Sequence, residues 1–310
     1  MTNYVRHYLA AVHSHLRNII RVWNSLPKSS VSVEHEIKQF ESMHPYPDRV
    51  GLTSIFRFSQ ATLPIDYLRK LFVDGKLYHP RPSQFNDPFE CRPNFRWPET
   101  AEEIKGIRNH LIKVAMRNGK SRKEAEYFII KSMAKEDFVE DAIYGAVSSA
   151  LGEIRICSFT SSKDNLLFWA HYADSHRGFC VEYNSSILPI SCAFKVDYSN
   201  KYPEVTYPVP NDVRGLKPVL IKSSEWAYEG EFRTIFVPEA GQQPANDGTA
   251  RFLSGNELIN VYFGALMEED HKKLVLRLLE LGPFNPGVWQ AKLSKRDFEL
   301  QFVPIENINP

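Results

Sequence analysis

The feature that most constrains this chain is the spacing of short apolar runs in its second half. Runs at 154–160, 178–183, 192–198, 232–237, 258–263, 288–293 and 298–303 are each of strand length and rich in β-branched and aromatic residues. Most follow one another as hairpin-like pairs, and one helical pattern, 270–281, falls among them. The first half is mixed. Residues 54–58 read as a strand, and 63–73 as a helix with Thr62 as N-cap and Gly75 as terminator. A short extended piece follows at 77–79, then helices at 102–117 and 123–150. This order predicts an α+β fold: a largely antiparallel sheet, whole or split, with flanking helices.

An amphipathic helix is expected at the N-terminus. Val5, Leu9, Val12, Leu16, Ile19, Trp23 and Leu26 recur at three- and four-residue steps, opposite Arg6, Ser14, Arg17, Asn18 and Arg21. Pro27 ends the pattern, and no acidic residue occurs before residue 30. Such a basic helix either packs on its own domain or contacts a partner or an anionic membrane surface. The expected organisation is therefore a helical extension over 1–50, ending in a polar linker or short helix, and a single α+β domain over 51–310. The Gly-, Gln- and Asn-rich stretch at 239–256 reads as a surface loop.

Charge narrows the functional classes. Lys and Arg number 38 against 37 Asp and Glu, a net charge of +1. That balance excludes a surface built throughout to grip phosphates, so nucleic acid stays open as a partner through a local basic patch but is not indicated by charge. The 4 cysteines form no C-x-x-C pair, which removes zinc-ribbon and thioredoxin-like readings and suits a reducing compartment. No apolar stretch reaches the roughly 20 residues of a membrane span, and charges interrupt every apolar run near the N-terminus. A cytoplasmic location is expected.

Polar residues concentrate in three clusters. In Phe85-Asn86-Asp87-Pro88-Phe89-Glu90, Asn and Asp before Pro favour a turn, read either as structural or as a loop holding Asp87 and Glu90 at a site's edge. The second runs from Phe168 through Trp169, His171, Tyr172, Asp174, His176 and Arg177 to Phe179. A short helix from Asn165 places Trp169 and Tyr172 on one face, and His171 is either a hydrogen-bonded core residue or an acid–base or ligand-binding one. The third holds Lys222, Trp226, Tyr228, Glu229, Glu231, Phe232 and Arg233. If extended, Glu229, Glu231 and Arg233 share a face of a strand that is otherwise apolar; buried carboxylates need partners or a purpose, so the trio reads either as a Glu–Arg pair closing a core or as a carboxylate at a pocket's mouth. The phosphate-cradling P-loop, the G-x-G-x-x-G fingerprint, H-E-x-x-H and G-x-S-x-G are all missing. His171 and His176 lie five positions apart without a second ligand pair, so no metal site is expected.

In this order, Arg57 on an early strand, F-N-D-P-F-E at 85–90, W-A-H-Y-A-D-S-H-R-G-F at 169–179 and K-S-S-E-W-A-Y-E-G-E-F-R at 222–233 resemble a bacterial family known only as domain of unknown function 2971. The resemblance spans about residues 51–303 and marks site residues better than it marks a reaction. It implies that Asn86, Asp87, Trp169, His171, Tyr172, Arg177, Lys222, Trp226, Glu229, Glu231 and Arg233 serve a site.

Three elements are similar to those of ADP-ribosyltransferases. Arg57 stands where such enzymes grip a dinucleotide phosphate, Ser158-Phe159-Thr160-Ser161 resembles their Ser-Thr-Ser element, and Glu229-Gly230-Glu231 resembles their Glu-x-Glu element. The expected enzyme uses NAD as its substrate, with Glu231 and Glu229 near a developing cationic sugar and Trp169 or Tyr172 stacking on nicotinamide. Its expected role is in bacterial phage defence or as a toxin. Two other classes remain open. One is a metal-assisted nuclease or phosphoesterase using Asp87, Glu229, Glu231 and Lys222. The other is a non-catalytic module that binds a small ligand or peptide.

Overall fold

The computed structural model describes residues 31–96, 98–135, 137–207, 213–236, 249–251 and 255–305. The amphipathic pattern at 5–26 lies outside the described residues, as does most of the 239–256 stretch. The fold is α+β. The chain forms two compact units.

One unit contains the helix Val31–Met43 together with residues 92–151 and 202–219. Helices Ala101–Arg117, Arg122–Met133 and Phe138–Glu153 bury Ile107, Leu111, Ile129 and Ile143 against Phe95 and Val205 of a two-stranded parallel ladder. Both of the first two helices open on capping boxes, Thr100 with Glu103 and Ser121 with Glu124. The continuous helix expected over 123–150 is divided, because the Arg122–Met133 helix caps at Ala134 and a new one starts at Phe138.

The other unit, residues 44–91, 152–201 and 220–310, carries the main sheet. Its eight strands, numbered along the chain, are β1 (Ser54–Ser59), β2 (Arg155–Thr160), β3 (Phe179–Asn184), β4 (Phe194–Lys195), β5 (Glu231–Phe236), β6 (Leu258–Phe263), β7 (Gly287–Leu293) and β8 (Leu300–Pro304). Their spatial order is β8-β7-β6-β3-β1-β2-β5-β4. Every pair is antiparallel except β6 with β7, which the helix Glu269–Leu281 connects. The run expected at 192–198 divides. Phe194–Lys195 joins the sheet edge beside β5, while Asp197–Ser199 pairs with Ile221–Ser223 in a separate ladder.

Register assigns each side chain to a face, because residues paired across strands share one. Asn260, Glu182, Phe56, Thr160 and Glu231 form one cross-strand row over β6, β3, β1, β2 and β5. Ile55, Cys157, Phe159, Val181 and Phe232 occupy the opposite face, where they pack with Leu68 and Phe72 of the helix Ile65–Phe72 and Val275 and Leu278 of Glu269–Leu281. Each large side chain buried there contributes about 1.5–3 kcal/mol. That first helix is entered from Pro64 without a side-chain cap, so Thr62 is not the cap its sequence position suggested. The face bearing Phe56 packs Phe58, Cys180, Tyr262 and Ala291 under Phe168 and Trp169 of the helix Leu166–His171.

Candidate functional site

The third sequence cluster is built by a change of backbone at Gly230. Residues Ser224–Glu229 form a 3-10 helix, capped at its start by Ser223, whose side chain accepts from the Glu225 N–H. Gly230 ends it at φ +50, and β5 begins at Glu231. A Cβ at Gly230 would stand 2.7 Å from the Ser161 hydroxyl, in a left-handed conformation that other residues adopt at a cost. Glu229 therefore reaches the cluster from a helical turn, not from the extended strand that alternation suggested. Only Glu231 and Arg233 share a strand face.

Five charged side chains meet here. Arg233 donates from Nε to Oε1 of Glu231 at 2.7 Å and from Nη2 to Oε2 at 3.0 Å. Its Nη2 also donates to Glu90. Lys222 Nζ reaches Glu229 at 2.6 Å, Glu90 at 3.0 Å and Glu231 at 3.3 Å. It also lies 4.8 Å from the Trp226 ring centroid, and Arg233 lies 5.6 Å from that of Phe85. All five side chains are almost wholly buried. The Tyr198 hydroxyl accepts the Glu231 backbone N–H at 2.9 Å.

The two glutamates of Glu-Gly-Glu are in different states. Burial would raise the Glu231 carboxyl, but the charges of Arg233 and Lys222 hold it down at about 2. Burial raises Glu229, and the neighbouring Glu231 charge raises it further, against the pull of Lys222. Glu229 accepts the Tyr172 O–H at 2.6 Å on Oε1 and the Lys222 ammonium on Oε2. Burial and that carboxylate push the Tyr172 phenol up. Glu90, Glu229 and Glu231 face Lys222 and Arg233, so the fully ionised cluster carries one surplus negative charge.

The helix Leu166–His171 brings Tyr172 in. Asn165 caps it by accepting the Leu167 N–H at 2.9 Å and donates at 3.1 Å to the Tyr228 carbonyl. That ties the helix to the 3-10 turn bearing Glu229. Asn86 is exposed. Asp87 accepts the Phe89 N–H at 2.8 Å in its own Asx turn, so the F-N-D-P-F-E segment supplies Glu90 to the cluster.

The remaining expected site residues lie elsewhere. Arg57 is on the opposite sheet face from Glu231, since Phe56, Thr160 and Glu231 share a row; its Nη1 donates to Cys157 Sγ and, at 3.4 Å, to the Ser158 carbonyl. Of the three ADP-ribosyltransferase-like elements, Ser158 and Glu231 share a sheet face and Arg57 lies on the other. Trp169 is fully buried, edge-on to Phe58 and stacked with His176, and is a core residue. His171 and Arg177 are exposed, and Arg177 donates to the Ser175 carbonyl of its own loop at 3.5 Å. Tyr198 was not marked by any sequence signal, because it arrives from a separate two-stranded ladder.

Among the described residues no group of three His, Cys, Asp or Glu is gathered to hold a metal ion, and no helix is long and apolar enough to cross a membrane. Comparison with family models, curated proteins and solved structures finds no match for this chain.

Proposed function

We propose that this chain binds NAD at the Glu229–Tyr172 edge of the cluster and acts as an ADP-ribosyltransferase-like enzyme. One observation carries the reading: a buried cluster with three carboxylates and two cations, in which Glu229 stands at the edge beside Tyr172. The nicotinamide ring of NAD is cationic, and breaking its glycosidic bond develops further positive charge on the ribose. A carboxylate held without full compensation favours both. Tyr172 and the exposed Tyr228 supply aromatic surface beside it. In this reading Glu229 faces the sugar and Glu231 positions Arg233 and Lys222. Arg57 takes no part, and the exposed Arg177 on the loop after Tyr172 is the guanidinium offered to the pyrophosphate. The resemblance to domain of unknown function 2971, and a role in phage defence or as a toxin, belong to the same proposal.

The second reading, a non-catalytic binding module, is favoured by the fully paired state of Glu231. The metal-assisted nuclease reading has less behind it, because Asp87 is engaged in its own turn and the glutamates are engaged by Lys222 and Arg233.

The test is calorimetric binding of NAD together with nicotinamide release, in wild type and Glu229→Gln. Loss of release in the variant with an unchanged melting temperature supports the enzyme. Binding without release selects the module. Neither binding nor release in the wild type overturns the NAD assignment.

A further inference from the structure

A second carboxylate stands on the same sheet face, three strands from Glu231. The row Glu182–Phe56–Thr160–Glu231 separates the two Cα atoms by roughly 14 Å at ordinary strand spacing. Glu182 Oε2 accepts the Tyr262 O–H at 2.6 Å and the Asn260 amide N–H at 2.7 Å. Asn260 is itself oriented, since its Oδ1 accepts the Trp289 indole N–H at 2.9 Å. Gly287 makes room for this relay, because a Cβ there would lie 2.3 Å from Asn260 Oδ1. Both donors converge on one carboxylate oxygen. Among the described residues no hydrogen bond is directed to Oε1.

The surroundings are aromatic and already hold a cation. Tyr262 stacks with Trp289 at 6.2 Å and meets Phe302 edge-on at 5.1 Å. The Lys163 ammonium lies 5.0 Å from the Phe302 ring centroid and 5.7 Å from that of Tyr262. Its ion pair is with Asp164 at 3.2 Å, and side-chain exposure of 26% leaves it reachable from solvent. The chain's own lysine thus occupies π faces beside a rigid, half-buried carboxylate.

We propose that Glu182, with Tyr262, Trp289 and Phe302, forms a binding site for an organic cation, an alkylammonium or guanidinium group that displaces Lys163 from the rings. The carboxylate supplies charge-assisted acceptance through Oε1 and the rings supply cation–π contact. This site does not depend on the NAD reading.

The probe is agmatine, which carries both groups, titrated into the full chain by calorimetry and followed by tryptophan fluorescence from Trp289. Glu182→Gln, which preserves the acceptor for Tyr262, is expected to weaken binding about tenfold, the usual order for losing a charged hydrogen-bond partner. Lys163→Ala is expected to tighten it about threefold by removing the competing cation. Phe302→Leu, on the outermost strand, gives an independent loss of affinity if Glu182→Gln proves unstable. Absence of binding up to about 10 mM in both wild type and Lys163→Ala, short of even a millimolar site, overturns the proposal. Binding that neither Glu182→Gln nor Phe302→Leu changes overturns it equally.

Discussion

Arg233 and Glu231, two positions apart on one strand, form a forked ion pair, with Nε to Oε1 at 2.7 Å and Nη2 to Oε2 at 3.0 Å. The alternation of a strand makes this possible, because i and i+2 point to the same face. The pair accounts for how a fully buried guanidinium is tolerated between aromatic and apolar layers.

Glu231→Gln is therefore expected to be a folding variant. It removes the forked carboxylate partner of the buried Arg233 guanidinium and should cost about 3–5 kcal/mol. Glu229→Gln should change stability by about 1 kcal/mol or less, since burial already opposes the charge it removes. Urea denaturation of the two variants checks this. Equal losses would contradict the division of labour between the two glutamates.

Carboxyl NMR provides a direct view of that division. Glu231 should stay ionised down to about pH 2. Glu229 should titrate above the ordinary carboxylate range, and Tyr172→Phe should raise it further by removing the hydrogen bond to its charged form. A Glu229 that titrates below Glu231 would reverse the assignment.

Gly230→Ala tests the turn that places both glutamates. The left-handed φ of +50 and the contact with Ser161 predict a loss of about 1–2 kcal/mol. Adding Ser161→Ala should return only the steric part. A neutral Gly230→Ala in equilibrium denaturation would show that the turn relaxes freely.

Acid stability should be governed in part by His79, which is fully buried between the Leu77 carbonyl and the Thr234 hydroxyl. A carbonyl only accepts, so Nδ1 carries the proton and Nε2 accepts from Thr234. Burial lowers its pKa from 6.5 to about 3. The neutral ring is favoured on folding, so this stabilisation is full above pH 6.5 and is lost as pH falls toward 3, by up to about 4 kcal/mol. Glu231 adds a second loss at lower pH, from 4.5 down to about 2. Melting temperature measured from pH 7 to 4 should fall in wild type and stay flatter in His79→Gln.

Much of the main sheet was readable as sequence. The runs at 54–58, 154–160, 178–183 and 258–263 lie within one residue of β1, β2, β3 and β6, and the helix read at 270–281 is Glu269–Leu281. The start of the short helix at Asn165 was readable too, and its side chain caps that helix by accepting the Leu167 N–H. Short ladders such as Asn94–Arg96 with Glu204–Thr206 were not, because three residues carry too little periodicity and their partners lie far along the chain.

The sequence by itself determined the longer strands and helices of the main sheet, and that Lys222, Glu229, Glu231 and Arg233 had to find partners, because alternation and the cost of burying charge are local properties. Beyond the Glu231–Arg233 pair that strand alternation allows, tertiary structure decided who those partners are. The Phe56–Thr160–Glu231 register puts Arg57 on the far face, the left-handed Gly230 turns Glu229 back beside Glu231, and the Asp87 turn delivers Glu90 in place of Asp87. A shift of one residue in pairing would have exchanged the faces, and nothing local to Arg57 or Glu231 records that choice.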